Sequence, residues 1–292
     1  MPAGTTEFID ITTADVFIPE VWSSFALVQR EQPLVFAGLV NRRFEEGLTV
    51  GDLIRVPSIG NLAARTKTAN IAITYETLTE VGVNITIATD EYAAMAVESI
   101  IKVQADRDLF TAYAGKLGYA LGLSVDDVLA GLPDDQTNAV GALAVTPSLS
   151  DWIRCIQYLD DENVPAANRQ FIVAPALRAA LLEMDHYIHN DYSALHGPGP
   201  KVTALESAYQ TSFLGQPVYI TTNVEGSNAA GHDNVFFHKE AFALVMQMQP
   251  TTTFQYDIDY LVDKVAMENI YGNRTMRDSA TYGRYAVFFR GP

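Results

Sequence analysis

The residues with the most obvious capacity for chemistry are Asp185, His186, His189 and His196. Imidazole and carboxylate are common zinc donors, and His186 and His189, three apart, would share one face of a helix. Such a cluster would suit a metal-dependent hydrolase. The pattern stops short of that, because His-x-x-His lacks both the i, i+4 histidine pair of the helical zinc proteases and their general-base glutamate. The neighbouring His196-Gly197-Pro198-Gly199-Pro200 is also a poor scaffold for ligands that must be held in place. A surface loop is the better reading of this stretch.

Other reactive types are similarly unsupported. There is no Gly-x-Ser-x-Gly elbow, no phosphate-binding Gly-x-x-x-x-Gly-Lys-Ser/Thr and no Cys-x-x-Cys. Cys155 is the single cysteine, so no intrachain disulfide can form, and it falls at an apolar helical position suited to a buried thiol. That usage fits folding in a reducing cytoplasm. Asp126-Asp127 and Asp160-Asp161 are sequence neighbours whose side chains point in different directions, so neither makes an acid/base pair. The Asn84-Ile85-Thr86 and Asn273-Arg274-Thr275 sequons carry little weight, because the opening residues lack the basic-then-apolar pattern of a secretory signal. No catalytic, cofactor or metal residue is therefore assigned.

Composition describes a folded chain. Its 292 residues are 48% hydrophobic and 18% charged, with room for about two domains. No apolar run approaches the ~20 residues needed to span a bilayer, so no membrane role is expected. The net charge of −16 repels phosphate at long range and argues against a dedicated nucleic-acid binder. An acidic wall is nonetheless compatible with enclosing DNA without gripping it. The distribution of charge is uneven. Residues 53–75 carry Arg55, Arg65 and Lys67 and no acid, residues 126–162 carry eight carboxylates against Arg154 alone, and residues 274–292 are basic again. Separated patches of opposite sign are what copies of one chain could use to dock on one another.

The elements that would position these patches follow from changes of period. Residues 1 to about 40 hold Phe17-Ile18-Pro19-Glu20 and Gln32-Pro33 around a short helix-compatible stretch, residues 21–30, which reads as an arm. From 48 to 88 the apolar period is two. Ile54 and Val56, then Ile71, Ile73 and Tyr75, then Val81, Val83, Ile85 and Ile87 predict strands, with residues 60–70 as the tip of a long hairpin. At ~3.3 Å per residue over about fifteen residues a strand, it would reach about 50 Å. Asp90 and Glu91 then look like first-turn carboxylates, and Met95, Ala96, Ile100, Val103, Phe110, Ala114, Leu117 and Leu121 predict a helix over residues 90–121, about 48 Å long.

Beyond Pro133 helices and strands alternate. Ser150 caps a predicted helix whose inner face holds Trp152, Ile153, Ile156 and Leu159. Phe171-Ile172-Val173 reads as a buried strand, and Pro175 opens a helix with Leu177, Leu181 and Leu182 inside. Residues 186–207 read as a long loop, and Val218-Tyr219-Ile220, Val235-Phe236-Phe237 and residues 241–245 as strands. Ile258, Leu261, Val262 and Val265 predict a helix stopped near Gly272, and Tyr285-Ala286-Val287-Phe288-Phe289 a last strand.

This order of elements, together with Phe17-Ile18-Pro19-Glu20-Val21-Trp22, Leu39-Val40-Asn41-Arg42-Arg43-Phe44-Glu45 and Gly51-Asp52-Leu53-Ile54-Arg55-Val56-Pro57-Ser58-Ile59-Gly60, resembles the tailed-bacteriophage major capsid proteins of the Hong Kong phage capsid fold. The resemblance covers nearly the whole chain, though over residues 186–231 only element order matches. It implies an α+β fold with an N-terminal arm (1–44), an extended β-hairpin loop (45–87), a peripheral-domain spine helix (88–124), an axial domain (125–257) and a return segment ending in the peripheral C-terminal strand (258–292).

The same resemblance implies a non-enzymatic coat protein without cofactors. Copies would assemble in the host cytoplasm into pentamers and hexamers, forming the icosahedral shell of the virion around packaged double-stranded DNA. The expected partners are the chain itself, a separate scaffolding protein, a portal and a decoration protein. Some relatives carry a long cleaved N-terminal segment, whereas here the arm starts near Met1, which favours the separate scaffold. Some crosslink a loop lysine to a neighbour's asparagine; Lys67 sits at that tip, where an ionic contact is the simpler expectation. Inter-subunit contacts are expected at Arg55, Arg65 and Lys67 of the loop and at Phe17, Ile18 and Trp22 of the arm. A cellular nanocompartment shell of the encapsulin type is the alternative within the same fold.

Overall fold

A computed structural model describes residues 34–45, 51–59, 62–77, 80–98, 109–136, 138–183, 211–279 and 283–292. All of them belong to one unit, Gln32–Pro292. Their elements are α1 (Phe36–Leu39), β1 (Leu53–Ile59), β2 (Glu80–Thr86), β3 (Thr89–Glu98), α2 (Leu109–Gly131), β4 (Ala139–Val140), α3 (Leu149–Asp161), β5 (Arg169–Val173), α4 (Pro175–Leu182), β6 (Thr211–Phe213), β7 (Gln216–Ile220), β8 (Gly226–Ser227), β9 (Gly231–His238), β10 (Phe242–Asp257), β11 (Val262–Thr275), β12 (Asp278–Ser279), β13 (Gly283–Arg284) and β14 (Ala286–Gly291).

The largest sheet has the order β4-β14-β9-β5-β7-β6, with β8 paired to β9. Its central strands are apolar on both faces, because each face is covered. Phe171, Val173, Phe236, Val287 and Phe289 point to one side and meet Trp152, Cys155 and Leu159 of α3 and Leu177 and Leu181 of α4. Ile172, Val235, Phe237 and Ala286 point to the other and meet Val125 and Leu129 of α2, Phe36 of α1, and Phe242, Leu244 and Tyr271. The period-two alternation of strand side chains thus supplies two cores from one set of strands. Trp152 centres the first, its ring lying 4.8 Å from Phe171, 5.0 Å from Phe213 and 4.5 Å from Phe289.

A second sheet, β10-β11-β3, is antiparallel throughout. The hairpin β1-β2 forms a third, with seven paired positions from Leu53↔Thr86 to Ile59↔Glu80. A small cluster of Ile85, Ile87, Ala243, Val245 and Met276 holds the base of this hairpin against β10 and the end of β11. Sequence order and sheet membership diverge most here, since β10 leaves the seven-stranded sheet's neighbourhood and carries the chain into the second sheet.

Several expectations are corrected. The spine helix does not begin at Asp90. Residues 89–98 are β3, with burial alternating residue by residue, and the helix runs over Leu109–Gly131. The alanines at 93, 94 and 96 favour helix, but ten consecutive pairings with β11, from Val262↔Glu98 to Tyr271↔Thr89, outweigh that preference. Residues around Ile258 and Val265 form no helix either. They make a turn, with Leu261 at φ +51, followed by β11. Val262 and Val265 are buried while Ile258 and Leu261 are exposed, so the i, i+3, i+4 spacing there does not mark a helix face.

Ile71, Ile73 and Tyr75 lie outside any strand, so the ladder of the long hairpin is shorter than predicted. The cap of α3 is Ser148 rather than Ser150: its N–H donates to Asp151 Oδ2 at 2.8 Å. Ile153 is half exposed, and Cys155 takes its place on the inner face. The last strand, β14, sits inside the seven-stranded sheet between β4 and β9.

Candidate assembly surface

The hairpin β1-β2 is anchored at one end and bare at the other. At its base Ile85 is fully buried, Ile87 N–H donates to Asp52 O at 2.8 Å, and Gln247 Nε2 donates to Gly51 O at 3.0 Å. The backbone of β11 approaches so closely that a Cβ on Gly272 would lie 2.4 Å from Thr86 O. Toward the tip the apolar residues are more than half exposed: Leu62 is 64%, Ile71 61%, Ile73 56% and Tyr75 85% exposed. Residues 62–77 are exposed without interruption. A run of large apolar side chains in water on an extended segment marks an interaction surface more than a fold element.

The charged residues of the tip are arranged within the loop. Arg65 Nε donates to Glu76 Oε1 at 3.1 Å, and Ala63 N–H donates to Glu76 Oε2 at 3.1 Å. Continuing the β1-β2 register would set Ala63 opposite Glu76, so the Glu76 carboxylate accepts the bond that a ladder carbonyl would otherwise take. This is why the ladder stops and residues 71–77 stay single. Lys67 Nζ donates to the carbonyls of Thr68 and Ile71 and closes the turn. Arg55, on an exposed position of β1, reaches Asn84 Oδ1 at 3.4 Å across the ladder. Sequence reasoning found the three cations but not Glu76, whose place at the polar phase of the Ile71-Ile73-Tyr75 alternation was the available signal.

A second projection is the far end of β10-β11. Residues 249–256 are all exposed, and Ile258, at 76%, and Tyr260, at 75%, cap the turn. Asp257 accepts from Lys264 Nζ and from Asp259 N–H, which holds the turn together.

The segment following the arm is fixed to the body. Asp126, buried on α2, accepts from Ala37 N–H at 3.3 Å and from Asn223 Nδ2 at 3.3 Å, which caps the first turn of α1. Burial pushes this carboxyl above the usual range, with the hydrogen bonds opposing. Asn41 joins β10 as an isolated parallel bridge to Ala243, and Gln170 Nε2 donates to Leu39 O at 3.0 Å. Phe17, Ile18 and Trp22 of the expected arm contact lie outside the described residues, as do Asp185, His186, His189 and His196.

Among the described residues no group of three or more His, Cys, Asp or Glu side chains is gathered as a metal site, and no helix is long and apolar enough to cross a membrane. His232 Nε2 lies 3.0 Å from Asn228 Oδ1, while His238 stacks edge-on against Tyr285 and accepts from Glu240 N–H at 3.2 Å. Both are buried and serve the ends of β9. Burial and the nearby Asp151 push the Cys155 thiol far up, which leaves it an inert core group.

No protein-family model matches the chain, and no curated protein matches it in sequence. Solved structures do. A structure of Mycobacterium phage Che8 superposes with a TM-score of 0.77 at 23% identity, covering 94% of this chain and 97% of that one. The capsid structure of the cyanophage P-SCSP1u gives 0.72 at 14% identity, with 96% and 94% covered. The capsid asymmetric unit of cyanophage Pam1 gives 0.70 at 12% identity, with 97% and 99% covered. With near-complete coverage in both directions at these TM-scores, the chain has the phage capsid fold of the Hong Kong type.

Proposed function

We propose that this chain is a major capsid protein, whose copies assemble into pentamers and hexamers of an icosahedral shell enclosing double-stranded phage DNA. The observation that carries the reading is the uncovered apolar tip of the β1-β2 hairpin, with Leu62, Ile71, Ile73 and Tyr75 in water, on a fold shared with phage capsid structures. A two-stranded hairpin is marginal alone, and this one is buried only at its base. Its tip is completed by a neighbouring copy. The work of the protein is then geometric. Apolar burial along loop and arm supplies most of the binding free energy, charge fixes the register, and many weak contacts add through high effective concentration in a closed shell.

In this reading the seven-stranded sheet with α3 and α4 forms most of the axial domain, while α2 with β3, β10 and β11 forms the peripheral one. Arg55, Arg65 and Lys67, together with Phe17, Ile18 and Trp22 of the arm, contact neighbouring subunits. A separate scaffolding protein, a portal and a decoration protein are its partners, assembly takes place in the host cytoplasm, and the finished protein resides in the virion shell.

The test is deletion of residues 61–70. The variant should keep its helix content and melting temperature, yet fail to form rings or shells in negative-stain micrographs under conditions where the parent chain forms them. Shells of normal size from the deletion would refute the role assigned to the tip. A parent chain that stays single at every attainable concentration, with and without a scaffold, would refute the capsid reading itself.

A further inference from the structure

The joint between α2 and the sheet β10-β11-β3 brings together more polar atoms than its direct bonds satisfy. On β3 the alternation of burial turns Glu91, Ala93 and Met95 toward cover and leaves Tyr92, at 77%, in water. Glu91 stands in register with Asn269 of β11, and cross-strand partners share a face with their Cβ atoms about 4.5–5.5 Å apart. Tyr271, two residues further along β11, faces the same side, since its hydroxyl donates to Glu91 Oε1. Ser124 Oγ reaches that same oxygen from α2 and closes the niche on its third side.

Both donors converge on Oε1. Glu91 Oε2 is buried without a hydrogen-bond partner among the described residues, and so are Asn269 Nδ2 and Oδ1. Asn269 is only 1% exposed. Asparagine is a poor strand former, and burying its amide carries a desolvation cost that folded proteins offset with hydrogen bonds. Three such atoms on two facing residues are therefore one problem with one solution.

The chemistry of the three atoms selects what can join them. Oε2 and Oδ1 accept, whereas Nδ2 only donates. A cation would suit the two oxygens but meet the amide hydrogens, and an anion would meet the carboxylate. A molecule that donates twice and accepts once satisfies all three. Water does so alone: its oxygen accepts from the Nδ2 hydrogen on the Oδ1 side, one of its hydrogens returns to Oδ1, and the other goes to Oε2. Three bonds are the usual number for a buried water.

We propose that Glu91 and Asn269 hold one structural water between β3 and β11, beside α2. The two oxygens of Glu91 then divide their work. Oε1 ties Ser124 and Tyr271 directly, and Oε2 ties Asn269 through the water. The site belongs to the single folded chain and is independent of assembly.

A crystal or cryo-microscopy map of the whole protein at about 2 Å or better tests it. One peak should lie about 2.6–3.2 Å from Glu91 Oε2 and from both polar atoms of the Asn269 amide. In solution, oxygen-17 relaxation dispersion should count one long-lived water fewer in Asn269→Leu than in the parent chain, because leucine keeps the volume and removes both amide partners. A direct bond from Asn269 Nδ2 to Glu91 Oε2 with no peak between them overturns the site. So does a peak ringed by about six oxygens at about 2.3–2.6 Å, which marks a cation. An equal water count in folded Asn269→Leu overturns it as well, and if that variant fails to fold, the map of the parent chain decides alone.

Discussion

The Tyr271 hydroxyl donates to Glu91 Oε1 at 2.9 Å, and Ser124 Oγ donates to the same oxygen at 2.9 Å. One carboxylate oxygen therefore ties β11, β3 and α2 together. Burial first, and then the bond to Glu91, push the tyrosine phenol well above its ordinary range, so it stays a donor at any physiological pH. Tyr271→Phe should lower unfolding free energy by about 1.5–3 kcal/mol, the usual worth of a hydrogen bond to a charged group. Urea denaturation measures it, and a loss below about 0.5 kcal/mol would show that the tie is not structural.

Gly272 is where the hairpin base meets β11. A Cβ there would lie 2.4 Å from Thr86 O and 3.0 Å from Ile87 Cα, both backbone atoms that cannot swing aside. Gly272→Ala should cost about 1–3 kcal/mol by forcing the strands apart. Amides at 83–87 should exchange faster than in the parent. Unchanged exchange there would mean the base tolerates the shift.

Arg65 and Glu76 bridge the tip within one chain, and both are partly exposed, so the pair adds at most about 1 kcal/mol to stability. Arg65→Glu should barely move the melting temperature and should impair assembly strongly. The charge swap Arg65→Glu with Glu76→Arg separates two causes. Recovery of assembly in the swap points to loop shape, and persistence of the defect points to a neighbour's acidic surface facing Arg65.

His238 and Asp126 should give opposite pH responses. Burial, helped by the charges of Arg169 and Arg277 and opposed by Glu240, holds His238 below its ordinary 6.5. Between that lowered value and 6.5 the unfolded chain binds more protons, so stability is full above 6.5 and falls on acidification. Asp126 is raised above 3.8 by burial, so the folded chain binds more protons there and stability falls as pH rises from 3.8 through the raised value. In urea midpoints, the fall on acidification below 6.5 should shrink for His238→Gln, and the fall as pH rises from 3.8 should shrink for Asp126→Asn. The reverse pattern would assign the acid response elsewhere.

Trp152 packs against Phe171, Phe213 and Phe289, joining α3 to three strands of the large sheet. Trp152→Ala should cost about 3–5 kcal/mol and appear as loss of soluble protein before any defect in assembly. A soluble, fully folded variant with normal melting would show that the first core tolerates its loss.

Much of the fold was legible because it rests on local pattern. The paired strands β1 and β2, the buried run Phe171-Ile172-Val173, Pro175 at the head of α4 and the final apolar strand all follow from period, turn chemistry and proline geometry. The cationic tip residues Arg55, Arg65 and Lys67 were visible as an acid-free stretch. What local pattern could not decide is which strand a segment joins. Residues 89–98 and 262–275 carry helix-compatible spacing, yet each becomes strand because the other lies alongside, a pairing across more than 150 residues that no window of sequence contains. Glu76 and Gly272 matter only through atoms brought near by that same folding. Sequence alone determined the alternation, the proline-led start of α4 and the charge of the tip. Tertiary structure decided the partners, because backbone hydrogen bonds between distant strands outweigh the few tenths of a kcal/mol per residue by which local propensity prefers helix.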